Sequence, residues 1–135
     1  NESELDVSLP EPDIQIVGNK TALASAIQNL VHNSIQVIGG GAKVKISAQR
    51  DLKDLDMVRI SVSDNGPGVD LSQSDKIFEP FFTTKSQGTG LGLAVVSSVA
   101  SAHQGRVDVT NNTHGGACFS LLLPIKATSK LEGSL

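Results

Sequence analysis

The sequence has no tryptophan, no tyrosine and one cysteine, and four phenylalanines are the only large aromatic residues among its 135 positions. Without Trp or Tyr the usual stacking platform for single-stranded nucleic acid is missing. A net charge of −3, with no basic run, also argues against a nucleic-acid partner. The lone Cys118 excludes an internal disulfide and fits a reducing compartment. No apolar run approaches the roughly 20 residues of a membrane span, and the start NESELDVSLP does not read as a signal peptide. The expectation is a soluble, cytoplasmic domain with no membrane contact of its own, compatible with a larger, membrane-bound protein. His32, His103 and His114 lie far apart without paired-ligand spacing, so any metal is expected to be a hard ion that arrives with phosphates.

What the chain does have is clear periodicity. Its length suits one domain, expected over residues 1–125, with the solvated tail KATSKLEGSL at 126–135. Leu5-Val7-Leu9 and Ile14-Ile16, separated by Pro10 and Pro12, predict two strands or one strand and an extended lead-in. Asn19 to Ile38 predicts a helix with Asn19 or Thr21 as its cap, ended by Gly39-Gly40-Gly41. Val44-Ile46-Ala48 and Val58-Ile60-Val62 alternate at period two around a charged loop, which predicts an antiparallel pair. A weak helical turn near Ser72 to Ile77, a helix to about His103 stopping near Gly105, and two closing strands complete the order. About three helices on one face of a mixed, mostly antiparallel sheet give an α+β two-layer sandwich.

Three stretches carry candidate chemistry. Lys76 to Val96 joins an aromatic cluster, Phe78, Phe81 and Phe82, to the glycine run Gly88-Thr89-Gly90-Leu91-Gly92-Leu93, which opens directly into a helix. Backbone N–H groups and the helix dipole make such a junction a natural anion site, with phosphate the obvious candidate. Its alternate glycines fit neither G-x-G-x-x-G nor the lysine-ended phosphate loop. Asn29 and Asn33 stand one helical turn apart. They read either as solvated side chains or as neutral ligands suited to Mg²⁺. Asp64 ends a strand before Asn65-Gly66-Pro67-Gly68. It either stabilises its own turn or accepts a hydrogen bond from the exocyclic amine of adenine, which would favour ATP over GTP.

In order and spacing, Asn29-x-x-x-Asn33, Asp64-x-Gly66-x-Gly68, Phe78-Glu79-Pro80-Phe81-Phe82, Gly88-x-Gly90-x-Gly92 and Gly115-Gly116-Ala117-x-Phe119 resemble the Bergerat-fold ATP-binding domain of bacterial sensor histidine kinases. The resemblance runs from about Asp13 to Pro124, and FEPFFTTKSQGTGLGLAVV looks most like the nitrogen-regulatory branch, which includes kinases paired with activators of flagellar genes. It implies that Asn33 ligates Mg²⁺, that Asn29 orders the phosphate end, and that Asp64 reads adenine in a pocket shaped by Gly66 and Gly68. It further implies an ATP lid anchored by Phe81 and Phe82, whose polar part, Thr83 to Gln87, brings Lys85 to the phosphates. Gly88, Gly90 and Gly92 would be its hinge, with Leu91 and Leu93 amides toward the phosphates. Asn29, Asn33 and Lys85 are thus the catalytic candidates, and His32, Val69, Ile77, Thr84 and Thr89 join the cofactor-binding positions. Core packing remains an equal reading for the phenylalanines. Ala117 departs from the pattern, since many relatives have Thr or Ser near there.

The resemblance also implies partners. No histidine lies in the His-Glu context of a phosphoacceptor, so the acceptor is expected on a dimerisation domain of the same full-length protein. A response regulator, of the sigma-54 activator type, is expected downstream, with this fragment monomeric and the full protein a homodimer. Hydrolytic relatives of this fold place a glutamate base where Asn29 stands, and an amide cannot act as that base. A serine kinase acting on anti-sigma partners, and a non-catalytic nucleotide-binding module, are the remaining alternatives.

Overall fold

The chain is described from a computed structural model that covers residues 4–8, 16, 18–38, 40–74, 76–79 and 92–125. Its elements are β1 (Glu4–Ser8), α1 (Lys20–Ile38), β2 (Lys43–Arg50), β3 (Met57–Asp64), a 3₁₀ turn (Leu71–Gln73), α2 (Gly92–Ala102), β4 (Arg106–Asn111) and β5 (Ala117–Pro124). The five strands form one sheet in the order β1-β2-β3-β5-β4. All neighbours are antiparallel except β1, which joins β2 in parallel. This bears out the α+β sandwich. Two points sharpen the sequence reading: the described residues contain two α-helices and one 3₁₀ turn rather than three helices, and Ile16 lies in no strand. Ile14 and the 126–135 tail fall outside the described residues.

Strand alternation sends Val44, Val58, Val62, Val109, Phe119, Leu121 and Leu123 to the face that meets the helices. On α1, Ala26, Leu30 and Ser34 recur at i, i+4 and i+8, and each is fully buried. On α2, Val96 and Ala100 repeat the same spacing. Phe78 meets Phe119 edge to face, with centroids 6.2 Å apart and planes at 85°. That geometry contributes about 1 kcal/mol beyond area burial, so at least this phenylalanine belongs to the core.

The other sheet face is polar. Arg59 on β3 donates from Nε to Asp51 Oδ1 (2.8 Å) and from an Nη to Asp108 Oδ2 on β4 (3.4 Å). Because β5 separates β3 from β4, the guanidinium reaches across it on the face of Ser120 and Leu122, which pair with Asp108 and Arg59 and are both buried. Burial works against the Arg59 charge, but the two carboxylates outweigh it and raise its pKa.

Helix ends follow local chemistry. Asn19, not Thr21, caps α1: its Oδ1 accepts from Ala22 N–H at 3.0 Å. Helix α2 closes with Gln104 N–H to Ser101 O and Gly105 N–H to Ala100 O, the paired bonds of a Schellman end. The left-handed residue is Gln104, at φ 62°. Gly105 is required for a different reason, since a Cβ there would run into the Leu122 carbonyl oxygen. Asp70 caps the 3₁₀ turn by accepting from Ser72, a hydrogen bond that lowers its pKa.

Candidate functional site

Helix α1, the end of β3 and the start of α2 carry the described candidate residues, with the Gly66 loop against Ile38 of α1 and Gly92 against Asn29. Asp64, the last residue of β3, is fixed in orientation. Its Oδ1 accepts from Gly66 N–H at 3.0 Å and from Ala117 N–H at 2.9 Å. No described residue donates to Oδ2, so one oxygen is held by the backbone and the other has no donor among the described residues. Asn112 secures the same residue from behind, donating to the Asp64 carbonyl at 3.0 Å. Gly116, at φ 94°, packs so tightly on that carbonyl that any Cβ would collide with it. Asp64 does turn back on its own loop, as the plainer reading has it, but with one oxygen only.

The loop after Asp64 brings backbone close to the site. A Cβ on Gly66 would lie 2.7 Å from Ile38 Cγ1, and Gly68 adopts φ 84° against Asn111. Both glycines therefore serve close approach or a left-handed turn. Val69 packs partly buried against the core, and Ile77 is itself a core residue, 7% exposed, so it forms floor more than surface.

On α1, Asn29 donates from Nδ2 to Ser25 O at 2.8 Å. Its Oδ1 faces the start of α2, where a Cβ on Gly92 would stand 3.3 Å away. Glycine at position 92 thus lets the positive end of α2 sit against the asparagine-bearing helix, with Leu93 partly buried beside it. Asn33 is partly buried one turn further along α1, and His32 is exposed. Among the described residues no cluster of three or more His, Cys, Asp or Glu could hold a metal. A metal resting on one asparagine oxygen, with phosphates and water completing its shell, is the arrangement Mg²⁺ accepts. The glycines and the half-satisfied carboxylate fit a nucleotide base in the same way.

Phe81, Phe82, Thr84, Lys85, Gly88, Thr89, Gly90 and Leu91 lie outside the described residues.

Sequence reasoning missed four contributors: Asn111, Asn112, Gly116 as a packing requirement, and the Ala117 amide. Ala117 supports Asp64 through its backbone, whatever its side chain. Nothing local could have shown this, because Ala117 and Asp64 meet only through β3–β5 pairing. Ser34, next to Asn33, was read only as part of the apolar face; its fully buried Oγ has no hydrogen-bond partner among the described residues.

A cleft of about 550 Å³ lies at the other end of α1, lined by Ile16, Asn19, His103, Leu123 and Ile125 among others. It is remote from this chemistry, roughly 20 Å along the helix from Asn33. His103 is already committed there: Nε2 accepts from Asn19 N–H (3.0 Å) and Nδ1 donates to Val99 O (2.8 Å). Both ring nitrogens are used, which removes it as a metal ligand or phosphoacceptor in this state.

Residues 18–127 match the family described as histidine kinase-, DNA gyrase B-, and HSP90-like ATPase. The signal transduction histidine-protein kinase AtoS of Escherichia coli K12 is 42% identical over 91% of this chain and 19% of its own length. The sensor protein kinase FleS of Pseudomonas aeruginosa is 43% identical over 87% of this chain and 29% of its own length. Among solved structures, the mycobacterial sensor histidine kinase MprB superposes with a TM-score of 0.80 at 25% identity, over 93% of this chain and 86% of that one. The chain thus spans less than a third of the length of these two curated relatives. No helix among the described residues is long and apolar enough to cross a membrane.

Proposed function

Because this chain belongs to the histidine kinase-, DNA gyrase B-, and HSP90-like ATPase family, with sensor histidine kinases as its relatives, we propose that it binds Mg-ATP and presents the γ-phosphoryl group to a histidine on a separate dimerisation domain. The observation that carries the reading is Asp64, with Oδ1 held by two backbone amides and Oδ2 available.

In this reading Asp64 Oδ2 accepts from the adenine amine, and Gly66 and Gly68 let the base approach the backbone. Asn33 holds Mg²⁺, Asn29 and the α2 N-terminus order the phosphates, and Lys85 adds charge from the lid. The metal supplies charge neutralisation for the departing phosphoryl group. The residues contribute positioning and electrostatics, which is most of what phosphoryl transfer requires. Transfer is favoured over hydrolysis because α1 carries no acidic residue along its 19 positions and so offers no carboxylate base to activate water. The receiver of the signal would be a response regulator of the sigma-54 activator type, as the likeness of FEPFFTTKSQGTGLGLAVV to the nitrogen-regulatory branch suggests.

Calorimetric titration with a non-hydrolysable ATP analogue tests this, with and without Mg²⁺ and with a GTP analogue as control. Binding should be adenine-selective and strengthened by metal, and Asn33→Ala should remove the metal-dependent gain alone. Binding indifferent to both base and metal would sink the assignment.

A further inference from the structure

We propose that Asn111 is a positioning residue for adenine recognition, acting through the loop that follows Asp64. The inference rests on the nucleotide reading above and adds to it a residue outside the recognised motifs.

The segment from Gly66 to Val69 leaves the sheet, and no described backbone group pairs with it; the next backbone bond is Gln73 N–H to Asp70 O. Its near end is tied to Asp64 through Gly66 N–H. Its far end is held by one side chain. Asn111 Oδ1 accepts from Val69 N–H at 2.8 Å, and Asn111 Nδ2 donates to Val69 O at 2.9 Å. A primary amide is the side-chain group that can supply a donor and an acceptor together, so Asn111 acts as a one-residue strand neighbour for Val69. Gly68 makes the approach possible, because a Cβ there would stand 2.8 Å from Asn111 Oδ1.

Asn111 is the last residue of β4, where it pairs with Ala117, whose amide orients Asp64. The same corner of the sheet therefore fixes both sides of the base pocket, the carboxylate through Ala117 and the glycine loop through Asn111. The contact is exposed, and Val69 packs only partly buried at the margin of the core cluster. Losing it should loosen the loop while the sandwich stays folded.

The experiment titrates wild type, Asn111→Ala and Asn111→Asp with ADP, AMPPNP and GTP, with and without Mg²⁺, and follows amide hydrogen exchange at Val69 and Leu121. The aspartate keeps an acceptor for Val69 N–H but sets a carboxylate oxygen against the Val69 carbonyl. Both variants should weaken ADP and AMPPNP by the same factor, about tenfold, and narrow the preference over GTP. The enhancement by Mg²⁺, the binding stoichiometry and exchange at Leu121 should stay as in wild type, while Val69 exchanges faster. A merely structural clasp would lower stoichiometry or speed exchange at Leu121 without changing affinity or selectivity, and that result overturns the inference. Wild-type binding matched by both variants overturns it alone; absence of nucleotide binding by wild type overturns the ATP reading and this inference together.

Discussion

Asp64→Asn tests the proposed base contact directly, with recognition and folding read separately on the same variant. The two amides on Oδ1, from Gly66 and Ala117, decide which way the new side chain points. With its NH₂ toward them, three donors would crowd one position. With its oxygen there, both bonds survive as neutral ones at a cost of about 1 kcal/mol each, since charge-assisted bonds are roughly twice as strong. The NH₂ is therefore driven to the Oδ2 position, facing the adenine amine. Recognition then loses one charge-assisted bond, about 2 kcal/mol, and gains an opposed donor pair, about another 2 kcal/mol. At 1.4 kcal/mol per decade, ATP affinity should fall about 10³-fold, with or without Mg²⁺, while unfolding in urea loses about 2 kcal/mol. Guanine presents a carbonyl at that edge, so the GTP analogue should lose much less and the base preference should narrow. Calorimetry and urea melts on the same samples provide both readings. Near-wild-type ATP affinity in a folded variant would show that Oδ2 does not touch the base.

Two further outcomes concern stability. The hydrogen bond from Arg59 holds the buried Asp51 carboxyl below its ordinary value of 3.8, against the opposing effect of burial. A depressed folded-state pKa stabilises the fold above the unfolded value and ceases to do so as pH falls through the folded one. Wild type should therefore lose stability to urea below about pH 4. Asp51→Asn should be weaker at neutral pH and show a shallower acid loss, and parallel pH profiles would contradict the assignment. Ser34→Ala removes a buried hydroxyl with no partner among the described residues, so it should raise the unfolding free energy by about 1 kcal/mol. A loss in the urea melt would mean that Oγ has a bound water or another partner.

The sandwich was legible because its strands alternate and its helices repeat at i and i+4, patterns written by one-sided burial. Asp64 stood out at a strand end ahead of a glycine turn, and Asn29 and Asn33 as an amide pair one turn apart within α1, which is why the proposed function turns on them. The supports of Asp64 were not. Ala117 reaches it across 53 positions of sequence, and Asn112 across 48, so their roles exist only once β5 has inserted between β3 and β4. Asn111 and Asn112 read locally as ordinary residues ahead of a glycine turn. Gly105 shows the converse: it marks the helix stop correctly, yet the left-handed residue is Gln104 and the glycine answers to Leu122 on β5.

The scarcity of aromatics now has a physical counterpart. A base held by stacking needs a large planar side chain beside it, whereas a base read at its amine edge needs one oriented acceptor and backbone close enough to shape the pocket. Here the acceptor is oriented by two amides, closeness comes from Gly66 and Gly116, where a Cβ would meet Ile38 or Asp64, and the loop is tied by asparagine amides. Asn65 adds the third tie, accepting from Lys43 N–H at 2.9 Å and donating to Gly41 O at 3.3 Å. Asparagines 65, 111 and 112 thus link the Asp64 loop to β2, β4 and β5. Each substitutes for the strand pairing that a loop lacks. The adenine side of the proposed site is consequently built into the sheet, whereas the phosphate side depends on how α2 seats against Asn29 at Gly92.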